Sequence, residues 1–84
     1  MPQTVLIAES NPVFLEALSA ALSILGYSVV GATSEKSEVA ALAQQIQPDL
    51  LLYDINLSDN GIDGLADVKD LKAQMPKLKV LVLG

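Results

Sequence analysis

An α/β fold built on a parallel sheet is predicted by two features of the 84-residue sequence. Short, almost wholly apolar runs recur along the chain, which is how strands buried on both faces read. Between them lie stretches with apolar residues at helical spacing. Strand and helix therefore alternate, and right-handed crossovers between parallel strands follow.

The first run, Val5-Leu6-Ile7-Ala8, leads into Glu9-Ser10. Asn11-Pro12 then supplies an N-cap and a proline for the first helical turn. Phe14, Leu18, Ala21, Leu22 and Leu25 form the stripe of this helix, with Phe14, Leu18 and Leu22 in the core, and Gly26 closes it. Tyr27 to Ala32 predicts a second strand, and Thr33 and Ser34 offer capping hydroxyls. Val39, Leu42, Ala43 and Ile46 mark a second helix that Pro48 stops. Leu50 to Tyr53 predicts the third strand, ending at Asp54. Asn56 to Gly61 reads as a polar loop, with Asp59-Asn60-Gly61 as a turn. Gly64-Leu65 opens a third helix whose stripe is Leu65, Val68, Leu71 and Met75 and whose end is Pro76. Leu78 to Leu83 predicts the fourth strand.

Composition narrows the function. An apolar content of 51% excludes ordinary disorder, and is high enough for so short a chain to suggest apolar surface that awaits a partner. The net charge is −5, and the five basic residues are Lys36, Lys69, Lys72, Lys77 and Lys79. The last four are expected on a solvated face. An acidic chain without arginine is not expected to bind nucleic acid, which needs a basic face. No apolar run reaches the roughly 18 residues of a membrane span, and Met1-Pro2-Gln3-Thr4 lacks the positive region of a secretory signal. The expected location is the cytoplasm.

The absence of cysteine and histidine removes the thiol nucleophile, the Ser-His-Asp triad and the usual zinc sites. No phosphate-binding glycine loop is present, which disfavours an unrelated nucleotide-binding fragment. Asp54, Asn56 and Ser58 superficially suggest a calcium loop. Such a loop needs glycine at its sixth place and an acid at its twelfth, where this chain has Asp59 and Leu65. Attention therefore falls on the strand ends, where open α/β sheets bind ligands. Glu9 and Ser10 lie just past the first strand, and Asp54 ends the third. If these strands are neighbours, two carboxylates converge, a donor set suited to Mg²⁺.

An apolar strand ending in acid, the helix opening Asn11-Pro12-Val13-Phe14-Leu15-Glu16-Ala17-Leu18, and the strand Leu51-Leu52-Tyr53-Asp54-Ile55-Asn56-Leu57 together resemble a response-regulator receiver domain. The helix opening is similar to that of receivers joined to helix-turn-helix DNA-binding domains. Pro48-Asp49-Leu50 and Gly64-Leu65 fit the same pattern, and the resemblance covers the whole chain. It implies a flavodoxin-like (CheY-like) parallel sheet of order 2-1-3-4. Residues 1–84 would then form a partial receiver domain lacking the fifth βα unit. It further implies that Asp54 accepts a phosphoryl group from a sensor histidine kinase, with no catalytic residue besides it and no enzyme activity of the chain's own. Mg²⁺ would be held by Glu9, Asp54 and the backbone carbonyl of Asn56, with Ser10 as a weak further candidate.

Three departures qualify the resemblance. Receivers carry a second acid where this chain has Ser10, so weak or absent Mg²⁺ binding is expected. They end the fourth strand in a serine or threonine, where Gly84 is degenerate. The loop from Asp54 to Gly64 reads as about two residues long for the family. These departures support an alternative, a degenerate receiver that acts unphosphorylated as a protein-interaction or dimerisation module. The apolar fourth strand, Val80-Leu81-Val82-Leu83, is expected to bring copies together as a homodimer or larger assembly.

Overall fold

The computed structural model describes residues 2–57 and 61–84. The elements run β1 (Thr4–Ala8), α1 (Pro12–Ile24), β2 (Ser28–Thr33), α2 (Lys36–Ile46), β3 (Leu50–Asp54), a 3-10 turn (Ile55–Leu57), α3 (Gly61–Gln74) and β4 (Lys79–Leu83). The four strands are parallel and lie in the order β2-β1-β3-β4, as the flavodoxin-like expectation requires.

Alternation along the central strands sorts the core into two layers. Leu6, Ala8, Leu51 and Tyr53 face α2 and α3 and are joined by Val39, Ala43, Leu71 and Leu78. Val5, Ile7 and Leu52 face α1, where Leu15, Leu18 and Leu22 pack against them. β1 is fully enclosed: Val5, Leu6 and Ile7 are each 0% exposed. An apolar run without alternation of polarity is the sequence trace of a strand covered on both sides.

The α1 termini form as the sequence dictates. Asn11 Oδ1 accepts from the amides of Val13 at 2.9 Å and Phe14 at 3.2 Å, with Pro12 in the first turn. At the other end the amide of Gly26 donates to Ser23 O and that of Tyr27 to Leu22 O. This double closure needs a left-handed residue, and Gly26 takes it with φ 96°. Gly31 matters for a different reason. β2 bulges between its pairings with Val5 and Leu6, and a Cβ at Gly31 would come within 2.8 Å of Ile46 Cδ1. Glycine is what allows α2 to approach the sheet there.

Several boundaries differ from the sequence reading. Phe14 is not core: it is 49% exposed, because α1 turns only its Leu15, Leu18 and Leu22 edge to the sheet. Thr33 and Ser34 do not cap α2. Its N-cap is Glu35, and Thr33 Oγ1 instead accepts from the Glu35 amide and donates to Glu38 Oε1 at 2.6 Å. The helix ends one residue before a left-handed Gln47 (φ 56°), which turns the chain ahead of Pro48. α3 starts at Gly61 rather than at Gly64, and Leu65 is 48% exposed. Asp59 and Asn60 lie outside the described residues. Lys72 is not simply solvated, since its ammonium donates to the carbonyls of Pro76 and Leu78 beyond the end of α3.

At the amino-terminal ends of the strands, Thr4 and Asp49 clasp each other. Asp49 Oδ2 accepts from the Thr4 amide at 2.9 Å and from its hydroxyl at 3.1 Å, and Thr4 Oγ1 accepts from the Asp49 amide at 2.9 Å. No helix among the described residues is long and apolar enough to cross a membrane.

Candidate functional site

The site follows from the pairing of β1 with β3. Ala8 lies opposite Tyr53, so the next residues, Glu9 and Asp54, leave the sheet side by side. Both are buried, at 6% and 4% exposure. Two carboxylates taken out of water together repel each other and lose solvation, so each needs compensation.

Asp54 is compensated fully. Its Oδ2 accepts from the Ser10 hydroxyl at 2.6 Å and the Ser10 amide at 3.1 Å, and its Oδ1 accepts from the Asn56 amide at 3.0 Å. Burial pushes its pKa up. The Ser10 hydroxyl, the amides of Asn56 and Ser10, and the Glu9 carboxyl more than offset this and hold Asp54 below the ordinary carboxylate range. Glu9 goes the other way. Burial raises its pKa, the Asn11 amide donating to Oε1 at 3.2 Å partly opposes this, and neighbouring Asp54 pushes further upward. The pair thus divides its roles: Asp54 keeps the negative charge, and Glu9 is the partner that holds a proton more readily.

Asn56 is placed by the 3-10 turn that follows β3 directly, which brings its amide back onto the Asp54 side chain. Gly84 follows β4 immediately, one residue past Leu83, which pairs with Asp54. A Cβ at Gly84 would meet Ile55 Cγ2 at 3.4 Å, an ordinary contact, so a β-carbon is accommodated there. The predicted residues Glu9, Ser10, Asp54 and Asn56 are therefore brought together. The sequence offers Ser10 only as a weak metal candidate, and its double donation to Asp54 is a finding of the structure. Its position next to Glu9, at the end of a strand neighbouring β3, was the available signal.

The donor set fits a hard divalent cation in kind, with two buried carboxylates and a nearby turn that carries backbone carbonyls. No cluster of three or more acidic, histidine or cysteine side chains suited to a metal occurs among the described residues. Weak coordination completed by water is what such a set supports.

Comparison with known proteins places this geometry. The response regulator receiver domain family model matches residues 5–84. The probable transcriptional regulatory protein TcrX of Mycobacterium tuberculosis is 35% identical over 82 residues, covering 98% of this chain and 34% of TcrX. The chain thus spans about a third of that relative. Among solved structures, the anti-anti-sigma factor PhyR of Bartonella quintana superposes with a TM-score of 0.80 at 31% identity, over 98% of this chain and 33% of PhyR. PhyR complexed with the anti-sigma factor NepR gives 0.77 at 30% identity over the same 98% and 33%. A Thermotoga maritima response regulator gives 0.81 at 20% identity over 98% of this chain and 66% of its own, which bears on the fold alone.

Proposed function

Because the chain belongs to the response regulator receiver domain family, we propose that Asp54 is its phosphoryl acceptor and that a sensor histidine kinase is the donor. One observation carries this reading. Asp54 is buried yet held ionised by three donors from Ser10 and Asn56. A buried carboxyl without such donors would take up a proton and could not attack phosphorus.

In the transfer, an Asp54 oxygen forms a bond to phosphorus while the phosphohistidine P–N bond breaks, and the imidazole nitrogen leaves with the electron pair. Ser10 and Asn56 position the carboxylate, and the attacking oxygen must give up one of the hydrogen bonds it accepts. Mg²⁺, when bound, neutralises charge on the phosphoryl oxygens. Glu9, Asp54 and the Asn56 carbonyl would hold it, and Ser10 adds no charge. Glu9 would serve in its ionised form. The chain lacks a hydroxyl at Gly84, so acceptance is expected to be slow and partial.

Incubation with acetyl phosphate and MgCl₂, followed by intact-mass spectrometry, tests the proposal. Addition of one phosphoryl group that disappears in Asp54→Asn supports it. A chain that stays unmodified through long incubation would overturn it.

A second reading is favoured by the exposed apolar surface: the domain works unphosphorylated as an interaction module. Leu81 and Val82 on the edge strand β4 are 52% and 36% exposed, and Val13 and Phe14 on α1 are 76% and 49% exposed. The PhyR–NepR complex shows that a relative of this chain engages a protein partner. Here the partner we propose is a second copy, paired through β4. Light scattering over a dilution series tests this, and a monomer at all concentrations rules it out.

A further inference from the structure

We propose that the cleft between α2 and α3 binds a small organic cation with an apolar body. A cavity of about 350 Å³ opens there, within the range of about 300–1,000 Å³ usual for small-molecule sites. Leu51 and Tyr53 of β3 form its floor, Val39 and Ala40 one wall, and Val68 and Leu71 the other. Such a lining suits hydrocarbon and offers little to a hydrated metal ion.

The polar groups of the cleft set the sign of the ligand's charge. Asp63, Asp67 and Asp70 stand four and three residues apart along α3 and so share one stripe. Asp67 and Asp70 line the cleft, and Lys36 faces them from α2. Lys36 Nζ pairs with Asp67 Oδ2 at 3.1 Å and also feels Asp63. One ammonium against the two carboxylates that line the cleft, with Asp63 further along the same stripe, leaves the rim negative.

Tyr53 supplies an independent pointer to a ligand. It lines the cleft, is only 2% exposed, and its hydroxyl has no hydrogen-bond partner among the described residues. Buried hydroxyls are ordinarily paired. Asp67 and Lys36 lie within electrostatic reach of this one, which places it beneath the charged end of the cleft. An ammonium seated there donates to Tyr53 Oη and to the acidic stripe, while its apolar body covers Leu51, Val68 and Leu71. The proposal is independent of phosphoryl transfer at Asp54.

The test uses three probes of similar size: 2-phenylethylamine, 2-phenylethanol and 3-phenylpropionate. Amide shifts of the whole chain are followed by NMR. The amine is expected to saturate at low-millimolar concentration, with shifts centred on Leu51, Tyr53, Val68 and Leu71. It should bind roughly tenfold more tightly than the alcohol, and the carboxylate should not saturate. Asp70→Asn, at an exposed position, should bring amine and alcohol toward parity, Tyr53→Phe should weaken the amine, and Ala40→Phe should fill the cleft and abolish both. Absence of saturable shifts, equal affinity for amine and alcohol, or an amine preference unchanged in Asp70→Asn overturns the proposal. If Ala40→Phe does not fold, Asp70→Asn still decides.

Discussion

The Ser10 hydroxyl donates to Asp54 Oδ2 at 2.6 Å across 44 residues of sequence, joining the end of β1 to the end of β3. Its length is that of a charge-assisted bond. Ser10 thereby serves Asp54 as a hydrogen-bond donor, which an ionised carboxylate at that position could not do.

Ser10→Ala removes this donor and leaves the amide contact in place. The folded chain should lose on the order of 1–1.5 kcal/mol near neutral pH, the lower end for bonds to a charged group because Ser10 is exposed. Urea denaturation followed by circular dichroism measures it, and the Asp54 pKa should rise in the same variant.

The two carboxylates predict opposed pH limbs. Asp54 titrates below its ordinary 3.8, so its contribution is present above that value and is lost as pH falls through the folded pKa. Glu9 titrates above its ordinary 4.5, so its contribution is present below that value and is lost as pH rises through the raised pKa. Stability should peak in mildly acidic solution. Glu9→Gln should flatten the alkaline side of that peak and leave the acidic side, read as thermal midpoints across a pH series.

Ser10→Asp restores a third acid to the site. Without metal it should destabilise the chain through like-charge repulsion, and Mg²⁺ should bind at least tenfold more tightly than to the unaltered protein. Amide-shift titration with MgCl₂ gives both affinities. Low-micromolar saturation of the unaltered chain would show that Ser10 does not limit the metal.

Gly84→Thr adds a hydroxyl one residue past Leu83, the β4 partner of Asp54, at a position where a β-carbon would make an ordinary contact with Ile55. One well-placed donor to a phosphoryl oxygen can contribute about 2.7–4 kcal/mol in a water-excluded site. The variant should therefore accumulate more of the acetyl-phosphate adduct, with Asp54→Asn in the same background as the blank. Intact-mass spectrometry at fixed time points reads the difference.

Leu81→Lys puts a charge into the apolar edge strand and should shift any assembly toward monomer with little effect on folding, because Leu81 is already half exposed. Light scattering of both proteins at matched concentration checks it. An unchanged mass would exclude β4 as the contact.

Much of this architecture was legible in the sequence because its signals are local. Asn11-Pro12, Gly26, Pro48 and the apolar runs each specify backbone geometry through their own chemistry. What could not be read depends on neighbours distant in sequence. Phe14 has the spacing of a core residue, but its exposure depends on how α1 lies against β1 and β2. The start of α3 was misplaced because glycine and aspartate at positions 61–64 read as loop formers, a weak preference that tertiary context overrides. The convergence of Glu9 with Asp54 was expected from topology. The donation from Ser10 needed the register of β1 against β3, which only the fold supplies.

The clasp between Thr4 and Asp49 lies at one end of β1 and β3, and the Ser10–Asp54 bond lies at the other. The central strand pair is therefore a beam fastened at both ends. The register of β1 against β3 is thus tied by side chains outside the ladder as well as by the ladder itself. Asp54 itself sits where that fastened pair meets the turn at Ile55–Leu57 and, across the sheet, Leu83 of β4, so a substitution at this one position bears on three elements at once.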